Sequence, residues 1–125
     1  MSYPHNTREC ADYHQLVRDF GDDRPTIVVL CGSTRFRDDF DAMNRDLTRA
    51  GAMVLAPGVF VHAGDTVTEE DKARLDELHL RKIELADEVY VVNPGGYIGA
   101  STRKEIAYAE DLGRPVSYLT DIRTT

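Results

Sequence analysis

The stretch TIVVLCGSTRFRDDFDAMNRDLTRAGAMVLA, residues 26–56, sets two short apolar runs on either side of an amphipathic one. TIVVLC (26–31) is β-branched and unbroken, the pattern of a strand covered on both faces. In FRDDFDAMNRDLTRAG (36–51), Phe36, Phe40, Met43 and Leu47 recur at helical spacing, and Gly51 supplies a stop. AMVLA (52–56) is the second strand. A helix between two such strands is the crossover of a parallel pair, and such crossovers are right-handed.

The same rhythm continues to the C-terminus. PGVFVHAGDTV (57–67) is an irregular loop, and TEEDKARLDELHLRKIELAD (68–87) is a helix. Thr68 is its expected N-cap, and Leu75, Leu78, Leu85 and Ala86 are its expected core residues. EVYVVN (88–93) is the third strand, TRKEIAYAEDLG (102–113) the next helix and PVSYL (115–119) the fourth strand. This alternation predicts an α/β fold: a three-layer, Rossmann-like (flavodoxin-like) parallel sheet of four to five strands with helices on both faces. Residues 1–24 stand outside the rhythm as an N-terminal helical extension, with Cys10, Tyr13, Leu16, Val17 and Phe20 inward; residues 25–125 form the domain.

A length of 125 residues suits one core, and 42% apolar with 30% charged residues is ordinary for a globular chain. The net charge of −7 repels nucleic-acid backbones, so a polynucleotide partner is not expected. No apolar run approaches the roughly 18–20 residues of a membrane span. The opening MSYPHNTREC lacks the pattern of a secretory signal, which makes the cytoplasm the expected location. Cys10 and Cys31 are too few for a disulfide framework, and neither has a base nearby in sequence to activate it. Four scattered histidines without ligand spacing do not predict a metal site, and no cofactor is expected.

In open parallel sheets, ligands bind beyond the carboxyl ends of the strands. Three glycine-containing loops fall on that edge: CGSTRFR, PGVFVHAGD and NPGGYIGAST. In the first, Gly32, Ser33, Thr34 and Arg35 combine backbone N–H groups, hydroxyls and a guanidinium at an expected helix start, which makes an anion site. Equally, Ser33 or Thr34 caps that helix and Arg35 is solvated. In the third, Asn93, Gly95, Gly96, Gly99 and Ser101 lead into Thr102-x-x-Glu105. That spacing is a capping box, with Glu105 bonded back to its own backbone. The alternative turns the Glu105 carboxylate into the cleft as a nucleophile for a sugar carbon.

Asp76 and His79, on the helix before the third strand, are candidates for proton transfer. Their bland alternatives are a solvated helix face and a packing residue. His62 and Asp65 of the second loop could contribute. Phe36, Phe60 and Tyr97, one from each loop, offer flat surfaces for a heterocycle, and Phe36 serves equally as a core residue.

CGSTRF, DELHLRKIELADEVYVVN and GGYIGASTRKEIAYAEDLGRPVSYL together resemble the nucleoside 2-deoxyribosyltransferase-like superfamily, from about Thr26 to Leu119. The resemblance implies cleavage or transfer of an N-glycosidic bond in a nucleoside or nucleoside 5′-monophosphate, through a glycosyl-enzyme intermediate. It implies Glu105 as nucleophile, Gly32, Ser33, Thr34 and Arg35 as the phosphate loop, and Ser101 as a phosphate-contacting hydroxyl. It further implies a homodimer or higher homo-oligomer. The chain departs from the family at His79 and Gly99, where aspartates are expected, and at Val29, where a tyrosine is expected. PGG…ST-x-x-E also resembles the signature of the lysine-decarboxylase-like phosphoribohydrolases, interrupted by two residues. A nucleotide-binding module without catalysis is the alternative reading of the same pocket.

Overall fold

Strand β1 (Ile27–Gly32) is the run marked by the sequence as doubly covered, and Val28, Val29, Leu30 and Cys31 are all buried. The computed structural model describes residues 24–60 and 64–121. The expected N-terminal helix and His62 lie outside these residues. After β1 come α1 (Arg37–Arg49), β2 (Met53–Leu55), α2 (Glu69–Leu85), β3 (Glu88–Val92), α3 (Ala100–Asp111) and β4 (Val116–Tyr118). The four strands form one parallel sheet in the order β2-β1-β3-β4. Among the described residues, no helix is long and apolar enough to cross a membrane.

Helices cover both faces, because side chains alternate along each strand. Val29 and Cys31 of β1 and Val89 and Val91 of β3 pack with Ile83 of α2 and with Ile106 and Ala109 of α3. Val28, Leu30 and Val92 turn the other way, onto Phe40 of α1 and Phe60. The three-layer α/β expectation therefore holds. The start of β1 is pinned by Asp87, whose carboxylate accepts from the Ile27 N–H at 2.8 Å and from the Arg24 guanidinium.

Three local expectations change. The residues that α2 and its C-cap bury are His79, Ile83 and Ala86, with Leu80 partly buried against the same core, whereas Leu75 lies on the wall of a cavity. Leu78 is half exposed and Leu85 is 66% exposed, so neither is a core residue. Steps of four residues carry one face of a helix, and they put an imidazole at its centre. Thr68 does cap α2, in a reciprocal box with Asp71.

Helix α3 starts two residues early, at Ala100 with Gly99 as N-cap and no side-chain cap. Thr102 is therefore inside the helix and buried, and the Thr102–Glu105 capping box does not form. Lastly, the residues after β1 are not the first turn of α1. Thr34–Phe36 form a separate 3-10 turn capped by Ser33, and α1 begins after Phe36.

Gly32 closes β1 where its backbone runs against β3. A Cβ there would lie 2.5 Å from the Val92 carbonyl oxygen, at a φ of +155° that side chains rarely adopt. Gly32→Ala should cost about 2–3 kcal/mol of stability through this clash. Urea unfolding, read as a lowered midpoint with an unchanged slope, checks it.

Candidate functional site

The carboxyl ends of β1 and β3 lie side by side, with Gly32 paired to Val92, and the chain leaves them in different directions. At this switch point the crossovers diverge to opposite faces and leave a crevice. A cavity of about 620 Å³ opens there, a size typical of small-molecule sites. Its walls come from the loop after β1, Pro57–Val59 after β2, one flank of α2, and Tyr97 through Glu105 around the start of α3.

The structure brings Gly32, Ser33, Thr34, Arg35, Asp76, His79, Gly99, Ser101 and Glu105 to this one cavity. Phe36, Phe60, Asp65, Asn93, Gly95 and Gly96, also expected there, do not line it. Asn93 is fully buried, and its side-chain amide clips the chain after β4, donating to the Thr120 carbonyl and accepting from the Thr120 N–H, both at 2.9 Å. Gly95 and Gly96 shape the turn after β3 with positive φ. Phe36 packs toward the α1 core and meets Tyr97 edge-on at 5.9 Å. In the second loop, Asp65 accepts from the Phe60 N–H at 2.7 Å, a loop-closing bond.

At the mouth, the Arg35 guanidinium lies over the Tyr97 ring at 4.6 Å and donates to the Ser33 hydroxyl at 3.1 Å. The uncapped start of α3, Ala100 and Ser101, lies on the same wall. Its first N–H groups lack intrahelical partners, and the helix dipole adds positive potential there.

Deeper in, α3 buries Thr102, Ile106 and Ala109, and Glu105 shares that inward face. The Glu105 side chain is 15% exposed and lies 3.8 Å from His79 Nε2. The same imidazole nitrogen is 3.4 Å from Cys31 Sγ. Sequence reasoning found no base near either cysteine; the structure corrects this for Cys31, since strand alternation aims it at the α2–α3 face. Lys72 and Lys82 of α2 also line the cavity and went unnoticed in the sequence. Lys72 pairs with Asp76 at 2.9 Å, and Lys82 donates to the Ala56 carbonyl at 2.7 Å.

Burial governs how these groups titrate. Glu105 is pushed up to about 7 by desolvation and by the Asp76 charge, against a hydrogen bond from Cys31 and the Lys72 charge. His79 is lowered to about 4, by desolvation first and the Lys82 charge second, with a Leu30 backbone hydrogen bond and Asp76 opposing. The Cys31 thiol is raised well above its usual value by burial and then by Glu105. At neutral pH the imidazole is therefore uncharged, the thiol keeps its proton, and Glu105 is poised between its two states. Compared with protein-family models and with curated proteins, the chain matches none.

Opposed titrations give opposed stability slopes. For Glu105 the fold prefers the protonated form, so its contribution is full below about 4.5 and lost as pH rises through about 7. For His79 the fold prefers the neutral form, so its contribution is full above about 6.5 and lost as pH falls through about 4. Each shift amounts to roughly 3 kcal/mol. Glu105→Gln should therefore gain stability relative to wild type, by roughly 3 kcal/mol, between pH 4.5 and 7, whereas His79→Gln should gain as pH falls from 6.5 to 4. Urea unfolding across this range checks both. Curves that stay parallel to wild type contradict the assignment.

Proposed function

We propose that the protein cleaves or transfers the N-glycosidic bond of a nucleoside 5′-monophosphate, with Glu105 as nucleophile. One observation carries the reading: Glu105 is not the cap of α3 but a nearly buried carboxyl on the cavity wall, one turn below the uncapped helix start. Ser101 and Glu105 are four positions apart, about 6 Å of helical rise and roughly the span of a pentose. A phosphate held at the mouth by Ser33, Arg35, Ser101 and the helix N–H groups would lay its sugar over the carboxylate.

In the reaction, a Glu105 oxygen forms a bond to C1′ as the C1′–N bond breaks and its electron pair leaves with the base. The base takes a proton from the solvent-open side of the cavity, where Asp76 and the Lys72 ammonium lie. His79, held neutral, is a poor proton donor at neutral pH. With Cys31 it instead orients the carboxyl group. Water, or a second base, then attacks C1′ and frees Glu105. The resemblance to the deoxyribosyltransferase-like superfamily supports the same role for Glu105 and extends it to a homodimer. The interrupted PGG signature is compatible with a phosphoribohydrolase variant of this chemistry.

The nucleophile must be ionised, so base release should rise with pH through about 7 and then level. Incubation with a panel of ribo- and deoxyribonucleoside 5′-monophosphates, with free base followed by chromatography, tests this. Glu105→Gln should lower the rate by on the order of a thousandfold or more. Saturable nucleotide binding with no base released overturns the enzyme and supports a binding module.

A further inference from the structure

The Cys31–His79–Glu105 trio has a second chemical capacity. One ligand-type atom from each residue lies within 4.8 Å of the others, and all three residues are at least largely buried. In a tetrahedral zinc site, bonds of about 2.3 Å to sulfur and 2.0–2.1 Å to nitrogen or oxygen set neighbouring ligand atoms about 3.3–3.6 Å apart. The observed separations are 3.4 Å from Cys31 Sγ to His79 Nε2 and 3.8 Å from His79 Nε2 to Glu105 Oε1.

We propose that Cys31, His79 and Glu105 form a three-ligand site for a borderline-soft divalent cation of the zinc type, with its fourth position open to the cavity. The donor set of one sulfur, one nitrogen and one oxygen selects this class over magnesium or calcium, which take oxygen alone. Charge also balances: a thiolate and a carboxylate offset a divalent ion, and the imidazole adds none, so the buried site is neutral overall. The thiol proton passes to solvent as the sulfur–metal bond forms. His79 and Glu105 line the cavity while Cys31 lies behind them, so the vacant direction faces the ligand space. A bound ion would occupy the Glu105 carboxylate, and on the reaction proposed above it would block attack on C1′.

The test uses the full chain, reduced, chelator-treated and kept anaerobic, titrated with Co²⁺. A thiolate-to-cobalt charge-transfer band and intense tetrahedral visible bands should appear, saturate at a single ion per chain and vanish on adding Zn²⁺. They should be lost in Cys31→Ser and retained in Cys10→Ala. No band in wild type, or a band that survives Cys31→Ser, overturns the site. Should circular dichroism show Cys31→Ser unfolded, Glu105→Gln decides: weakened cobalt binding supports the trio, and unchanged binding overturns it. No nucleotide enters this titration, so its outcome is separate from that of the glycosidic reaction.

Discussion

Strands β1 and β3 are held together by a five-residue parallel ladder, and its register constrains everything at the carboxyl edge. The ladder ends with Gly32 opposite Val92, so two loops leave the sheet from adjacent points at the same height. Only a residue without a side chain tolerates the approach of the Val92 carbonyl. From this pairing the crossovers diverge: α1 covers one face and α2 with α3 the other. The cavity is the space that this divergence leaves. The same register decides which β1 side chains meet α2 and α3, because alternation sends Cys31 to that face and Leu30 away from it.

Polar groups at the centre of such a core carry a thermodynamic cost. Desolvation is the largest influence on Cys31, His79 and Glu105 alike, and in each it favours the uncharged form. The contact between His79 and Glu105 is accordingly not an ion pair at neutral pH, despite its 3.8 Å distance. Three well-packed apolar side chains would satisfy the same layer with no such penalty. A fold that keeps a thiol, an imidazole and a carboxyl together beside a cavity carries strain of the kind found at functional sites.

The parallel sheet, its layers and most element boundaries followed from hydrophobic runs and glycine stops, because these are local signals. The β1 run and the Thr68 cap are examples. What escaped were effects of tertiary context. Thr102-x-x-Glu105 satisfies the capping-box pattern, yet α3 begins at Ala100, where Thr102 and Glu105 both join its inward face. The buried face of α2 is hidden in the sequence because exposed leucines flank it: Leu78 and Leu85 face outward, and His79, one turn before Ile83, takes the core position. Cys31 and His79 are 48 positions apart, and no spacing rule links a strand thiol to a helix imidazole that far away. The one available hint was parity: Cys31 shares its strand face with Val29, the face onto which both following helices fold.

Electrostatics at the mouth adds a last constraint. The chain as a whole is negative, yet Arg35, Lys72 and Lys82 all face the cavity. Their observed partners differ in charge. Lys72 is neutralised by Asp76, whereas Arg35 rests on a hydroxyl and an aromatic ring, and Lys82 on a backbone carbonyl. Uncharged partners hold a cation in position without cancelling its field. An anion entering past Tyr97 therefore meets an undiminished guanidinium beside the positive end of α3. The field at the mouth and the desolvated carboxyl below it would act on different parts of one ligand. A molecule with an anionic end and a less polar, electrophilic centre about one helical turn away meets both conditions at once.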